Sequence, residues 1–159
     1  KTVDLENSTW ADGPEKFEAG TPPIGEVNGL GAAIDFINKI GMQNIVDHEK
    51  ELTNYLIESI LKYGRIKILG MGKSVNRLGV VSMYSDDRRM GTSHDITDIL
   101  GGKFNVAVRA GHPCARLLHT KYGIETGTVR ASMGIYNDKK DIDELILGLQ
   151  NVWMTFIKK

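Results

Sequence analysis

The segment running from Val108 through Arg109, His112, Pro113 and Cys114 to Arg116 and His119 holds the chain's only cysteine and surrounds it with cations. That composition suits a nucleophilic sulfur, because the thiolate is the attacking form and nearby positive charge favours it. Pro113 fits the first position of a helix, since its φ is already helical and its missing N–H would have no partner there. The spacing therefore predicts a helix opened by Pro113, running to Tyr122 and stopped by Gly123, with Cys114 in a first turn whose unpaired N–H groups favour an anion. A buried structural cysteine is the other reading, because this residue type is among the most often buried.

Arg109 ends a predicted strand and Arg130 sits within another, on the face away from Val129 and Ala131. A guanidinium matches a carboxylate with two parallel hydrogen bonds, so two arginines bracketing the cysteine point to an anionic substrate. The alternative is that each pairs with one of the chain's own acids on a solvated surface. His112 could orient or protonate the Cys114 sulfur, or serve only in a cap or turn. Together with His48, which reads as a surface residue, His94 beside a helix start, and His119, it lacks the paired spacing of a metal motif, and no metal site is expected. Gly25, Gly29 and Gly31 have no Gly-Lys-Ser/Thr and no strand-loop-helix fingerprint, which argues against a phosphate loop. His112 and Asn105 could serve a thiol protease, but nothing in their spacing specifies a triad.

The elements that must position these residues follow from periodicity. Residues 1–24 are broken by Gly13-Pro14 and by Gly20 to Pro23, allowing only a short strand from Thr2 to Leu5. From Gly25, the spacing of Val27, Leu30, Ala33, Ile34, Ile37 and Ile40 predicts an amphipathic helix stopped by Gly41. A second runs from Asn44 to Tyr63 with Ile45, Leu52, Leu56 and Ile60 as its stripe and Gly64 as terminator. Strands are predicted over 65–69, ending in a turn at Gly70 and Gly72, and over 78–84. Ser93 reads as the N-cap of a short helix closed by Gly101-Gly102, and 105–108 as a strand leading into the cysteine segment. A strand over 128–133 and a last helix over 140–157, burying Ile142, Leu145, Ile146, Leu149, Val152 and Phe156, complete the chain. The fold class is α/β in the sense of an α+β sandwich, with a mixed or antiparallel sheet and helices on one face.

At 159 residues the chain can bury a core without staples, and one cysteine cannot form an internal disulfide. With no apolar run long enough to span a bilayer, a reducing, cytoplasmic setting is expected. Twenty basic and twenty acidic residues balance, so no general field draws nucleic acid or a membrane surface. The opening at Lys1, without methionine and with an arm too long for its own core, reads as the start of a fragment.

Arg109 to Ala115, followed by Val129 to Asn137, resembles the C-terminal part of the class V, pyridoxal-phosphate-dependent cysteine desulfurases, in the branch that feeds iron–sulfur assembly and is similar to selenocysteine lyase. Phe17 to Pro22, the helix with Gly29 to Asp35, and Asn76 to Val80 are also similar to that family, so the likeness extends from Trp10 to Val152. It implies the small C-terminal domain of a fold-type I enzyme for 25–159, with 1–24 as an arm belonging to the end of the large domain. It implies L-cysteine as substrate and Cys114 as the acceptor of its sulfur, with alanine released. Arg130 would clamp the substrate carboxylate, Arg109 would be an auxiliary anion-binding residue, and Thr21 would reach the cofactor phosphate of the opposite subunit in a homodimer. A sulfur-acceptor protein or iron–sulfur scaffold would then take the persulfide. Many members of the branch have a second histidine where this chain has Pro113. The lysine, aspartate and histidine with which the family holds the cofactor are not found here, so the chain alone is expected to bind none and to be inactive. A selenocysteine lyase or other class V parent, or a stand-alone interaction module, are the alternatives.

Overall fold

A computed structural model describes residues 2–70 and 77–157, which fall into two compact units, Lys1–Met42 and Gln43–Lys159. Gly72, read above as part of a turn, and Asn76, the first residue of a segment similar to the family, lie outside the described residues.

The first unit opens with a two-stranded antiparallel hairpin, β1 (Thr2–Val3) and β2 (Ser8–Thr9), and a single 3-10 turn over Gly13–Lys16. α1 (Ile24–Ile40) follows, and Gly41, at φ 90°, ends it. The expected apolar stripe is present in α1 but not covered: Val27, Leu30 and Ile34 are exposed, and no residue of the helix is buried. Periodicity says which face is apolar, not what lies against it.

The second unit carries α2 (Met42–Tyr63, which starts two residues before the expected Asn44, on the last residue of the first unit), β3 (Lys67–Ile68), β4 (Val80–Tyr84), α3 (Ser93–Phe104), β5 (Arg109–Gly111), α4 (Arg116–Lys121), β6 (Thr128–Ser132) and α5 (Lys139–Ile157). The four strands form one sheet in the order β3-β4-β6-β5, and every neighbouring pair is antiparallel. Val81, Met83, Val129 and Ala131 point to one face and join a single core with Leu52, Leu56, Ile57 and Ile60 of α2, Ile96 and Leu100 of α3, and Ile142, Leu145, Leu149 and Val152 of α5. Each such buried aliphatic side chain contributes roughly 1.5–3 kcal/mol of gross burial free energy. The other face presents Ser82 and Arg130, with Arg109 directly beyond on the edge strand β5.

Several local expectations are corrected. Thr92, not Ser93, caps α3: its hydroxyl accepts from the Asp95 N–H at 3.2 Å while the Asp95 carboxylate accepts from the Thr92 N–H at 2.7 Å. Ser93 instead is buried and donates to the Thr126 carbonyl at 2.7 Å. α3 runs through Gly101 and Gly102, which face open space, and ends at Asn105 in the left-handed conformation (φ 54°, ψ 32°). Because the Val106 N–H is turned back to the Leu100 carbonyl, the strand expected over 105–108 starts only at Arg109. His48 is half-buried, not a surface residue, with Nε2 at 3.0 Å from the Asn137 carbonyl.

Candidate active site

β6 and β5 place the two arginines. Their register sets Arg109 opposite Arg130, with Ser82 of β4 opposite Arg130 on the other side, so the three share one row across the sheet face away from the core. Like charges directly opposite in an antiparallel pair destabilise it unless something negative lies between them. Among the described residues neither arginine has a carboxylate partner, and Arg130 Nε is buried with no acceptor. An unsatisfied buried N–H costs roughly 1–3 kcal/mol, more on a charged group. The surface ion pairs that could have explained these arginines are formed by other cations: Lys67 with Asp86, Arg89 with Asp87, and Lys139 with Glu51.

The cysteine turn hangs from the end of β5. Gly127 makes the join possible: at φ 77° it brings the start of β6 so close to Gly111 that an added Cβ would lie 2.8 Å from the Gly111 backbone. After Gly111 the chain turns over His112, Pro113, Cys114 and Ala115, closed by the Ala115 N–H donating to the His112 carbonyl at 2.7 Å. Pro113 takes the second position and Cys114 the third, where its φ is 59°. Proline followed by positive φ is the pattern of a type II turn. Pro113 thus opens a turn and not a helix: α4 begins at Arg116, and Cys114 lies outside it. The helix-end contribution expected at the cysteine is therefore not available at that position. Cys114 is exposed, which removes the buried structural alternative. A left-handed conformation at a non-glycine residue costs roughly 1–3 kcal/mol and persists only where surrounding contacts impose it.

His112 is half-buried beside the turn. Its Nε2 lies 3.2 Å from the Glu125 carbonyl, which can only accept, so that nitrogen carries the proton and Nδ1 is left as the basic one. Arg116 Nη1, 3.4 Å from the same Nε2, is then a second donor and forms no hydrogen bond with it. Beneath lies His119, which the sequence reading passed over. It is 3% exposed, with Nδ1 at 2.8 Å from the Ala115 carbonyl, Nε2 at 3.2 Å from the Thr128 hydroxyl, and its ring edge-to-face with His112 at 4.9 Å. Leu117 and Leu118, the apolar residues of this helix, are both exposed while the histidine is buried. Thr128, two residues before Arg130 and so on the same face of β6, is also fully buried. The signal was available in the pairing of a histidine on a short helix with a hydroxyl at the start of the next strand.

Cys114, His112, Arg109 and Arg130 thus belong to one unit and to adjoining elements, β5, its turn and β6. Thr21 lies in the other unit, exposed, next to Gly20 at φ 87°. Among the described residues, no three His, Cys, Asp or Glu side chains come together to hold a metal ion, and no helix is long and apolar enough to cross a membrane.

A sequence model described as aminotransferase class-V matches residues 1–145. The chain is 41% identical over 152 residues to a probable cysteine desulfurase of Streptomyces coelicolor, covering 96% of this chain and 35% of that protein. It is 40% identical over 146 residues to a cysteine desulfurase of Haloferax volcanii, covering 92% and 33%. Among solved structures, the apo cysteine desulfurase of Thermococcus onnurineus NA1 superposes with a TM-score of 0.82 at 32% identity, over 97% of this chain and 37% of that one. The chain spans about a third of the length of the relatives it matches.

Proposed function

Because the chain belongs to the aminotransferase class-V family, we propose that it is the C-terminal portion of a cysteine desulfurase: residues 25–159 form its small domain and 1–24 the end of its large one. The observation that carries this reading is the pair of facing arginines, without carboxylate partners among the described residues, on the strands that flank the exposed Cys114 turn. Arg130 binds the carboxylate of L-cysteine, and its orphaned Nε–H gains an acceptor when it does so. Arg109, more exposed, adds the second positive charge. The Cys114 thiolate attacks the substrate sulfur. An S–S bond forms as the substrate Cβ–S bond breaks, the electron pair of that bond stays on carbon, and a proton completes alanine while Cys114 is left as a persulfide. His112 Nδ1 holds or returns the proton at the Cys114 sulfur.

Pyridoxal phosphate, the cofactor implied by the family, supplies when bound the electron sink that makes the substrate's Cβ–S bond labile. Thr21 fits one contact to it: its hydroxyl is exposed and makes no hydrogen bond among the described residues, so it is free to donate to a phosphate, in a homodimer that of the opposite subunit. The exposed position of Cys114 suits delivery of the sulfur to an acceptor protein, and a sulfur that must stay reduced suits the cytoplasm.

The test is Cys114→Ser in the full-length protein that carries this chain. Cysteine-dependent persulfide and alanine formation are expected to be abolished while the cofactor's absorbance is retained. Turnover at the unaltered rate would take Cys114 out of the mechanism.

A further inference from the structure

We propose that His119 is a positioning residue that holds the Cys114 turn in its left-handed geometry, a role that rests on the reading of Cys114 as the sulfur acceptor. The five residues from Gly111 to Ala115 contain everything the turn presents, and the buried ring of His119 is bonded to the last of them and to Thr128, the strand partner of the first. The Ala115 carbonyl only accepts, so Nδ1–H donates to it at 2.8 Å. That leaves Nε2 of the neutral ring to accept from the Thr128 hydroxyl at 3.2 Å, which uses that hydroxyl's one proton, and Thr128 stands opposite Gly111 in the β5–β6 register. Ala115 follows the cysteine directly, and Thr128 pairs with Gly111 where the strand before the turn ends, so one side chain ties the far end of the turn to the strand pair from which it hangs.

The alternatives for that task are weak. Ala115, the N-cap of α4, has no side-chain oxygen to hold the helix start, and α4 has only six residues. Pro113 fixes its own φ but not that of Cys114. The Ala115-to-His112 hydrogen bond closes the turn on itself, and the His112 Nε2–H bond to the Glu125 carbonyl at 3.2 Å holds only its first residue. His119 supplies the anchor at the other end, Ala115, and by stacking edge-on against His112 it also orients the ring whose Nε2 faces Glu125. A reacting sulfur displaced by about 1 Å loses up to roughly a hundredfold in rate, so the bracing is expected to be read in turnover and not in substrate binding.

The experiment uses the full-length, cofactor-loaded protein and compares His119→Leu, His119→Asn, His119→Gln and Thr128→Val, with Cys114→Ser as the control for the functional reading. His119→Leu fills the space and removes both bonds. It is expected to lower kcat roughly 10- to 100-fold with KM for cysteine within about twofold. His119→Asn, whose amide places a donor where Nδ1 stood, is expected to recover most of that loss. His119→Gln, which reaches only Thr128, recovers less, and Thr128→Val shows an intermediate loss. Alkylation of Cys114 by iodoacetamide across about pH 6 to 9 reads the sulfur without turnover, and His119→Leu is expected to depart from the parent profile by more than about threefold, with His119→Asn restoring it. Parent kcat and alkylation in His119→Leu, or equal recovery by Asn and Gln, overturns the proposal. If the leucine variant does not fold, the Asn-against-Gln comparison decides. If Cys114→Ser retains turnover, the functional reading falls, and the alkylation profiles alone judge His119.

Discussion

Arg130 carries its guanidinium on a regular strand, with Val129 and Ala131 on either side locked into the core at 2% and 6% exposure. Its backbone is therefore fixed by packing, and its Nε–H lacks an acceptor among the described residues. Lysine at this position keeps the charge but loses the flat pair of donors, so Arg130→Lys in the full-length protein is expected to raise KM for cysteine roughly 10- to 100-fold, corresponding to the loss of a charged bidentate contact. A KM within twofold of the parent's would take Arg130 out of substrate binding. The sequence made the arginines and the cysteine legible because charge and nucleophilicity belong to residue type. It misplaced the local cause of the cysteine's geometry because proline is as good at the second position of a turn as at the first of a helix, and only the hydrogen bond from Ala115 to His112 decides between them. It passed over His119 because burial of a polar ring depends on partners that lie on another element.

At the scale of elements, the site depends on how closely β5 can approach β6. Gly111 and Gly127 meet backbone to backbone, and Gly127 also needs a positive φ. Gly127→Ala therefore combines backbone strain with a collision that no side-chain rotation relieves, and is expected to cost about 2–3 kcal/mol in urea unfolding. Because the same contact sets the base of the Cys114 turn, the alkylation rate of Cys114 should change with it. Loss of less than about 0.5 kcal/mol would show that the strands can separate without penalty. The strand over 128–132 and the helices α2, α3 and α5 were readable from periods of two and three-to-four, since each has one apolar face that the core consumes. The boundaries around α3 were not, because threonine, serine, asparagine and glycine all compete for caps and the winner is set by geometry: Thr92 reaches the Asp95 N–H while Ser93 is drawn to Thr126.

For the molecule as a whole, three carboxylates tie loops to elements of the second unit, and all are held below the usual aspartate range. The Arg89 side chain and then its backbone N–H do this for Asp87, the Thr92 backbone and then its hydroxyl for Asp95, and the Asn137 side chain and then the Asp138 N–H for Asp141. A carboxyl more acidic when folded stabilises the fold once its unfolded counterpart, at about 3.9, has ionised, and that contribution disappears as pH falls through the lowered folded values. The urea midpoint of this chain is thus expected to be steady between about pH 5 and 7 and to fall below about pH 4, with Asp95→Asn making the acid slope shallower. A midpoint that rises on acidification would contradict the assignment. α1 shows the limit of sequence at this scale, since its stripe was visible and its exposure was not.

β5 is the edge of its sheet, only three residues long, while Arg130 stands on the interior strand β6, paired on both sides. The cysteine turn and the arginine proposed to grip the carboxylate are consequently carried by separable elements. If Cys114 delivers sulfur and Arg130 binds the amino acid as proposed, lengthening or shortening the turn between Gly111 and Arg116 would alter which acceptor the sulfur meets without disturbing the strand that recognises the substrate.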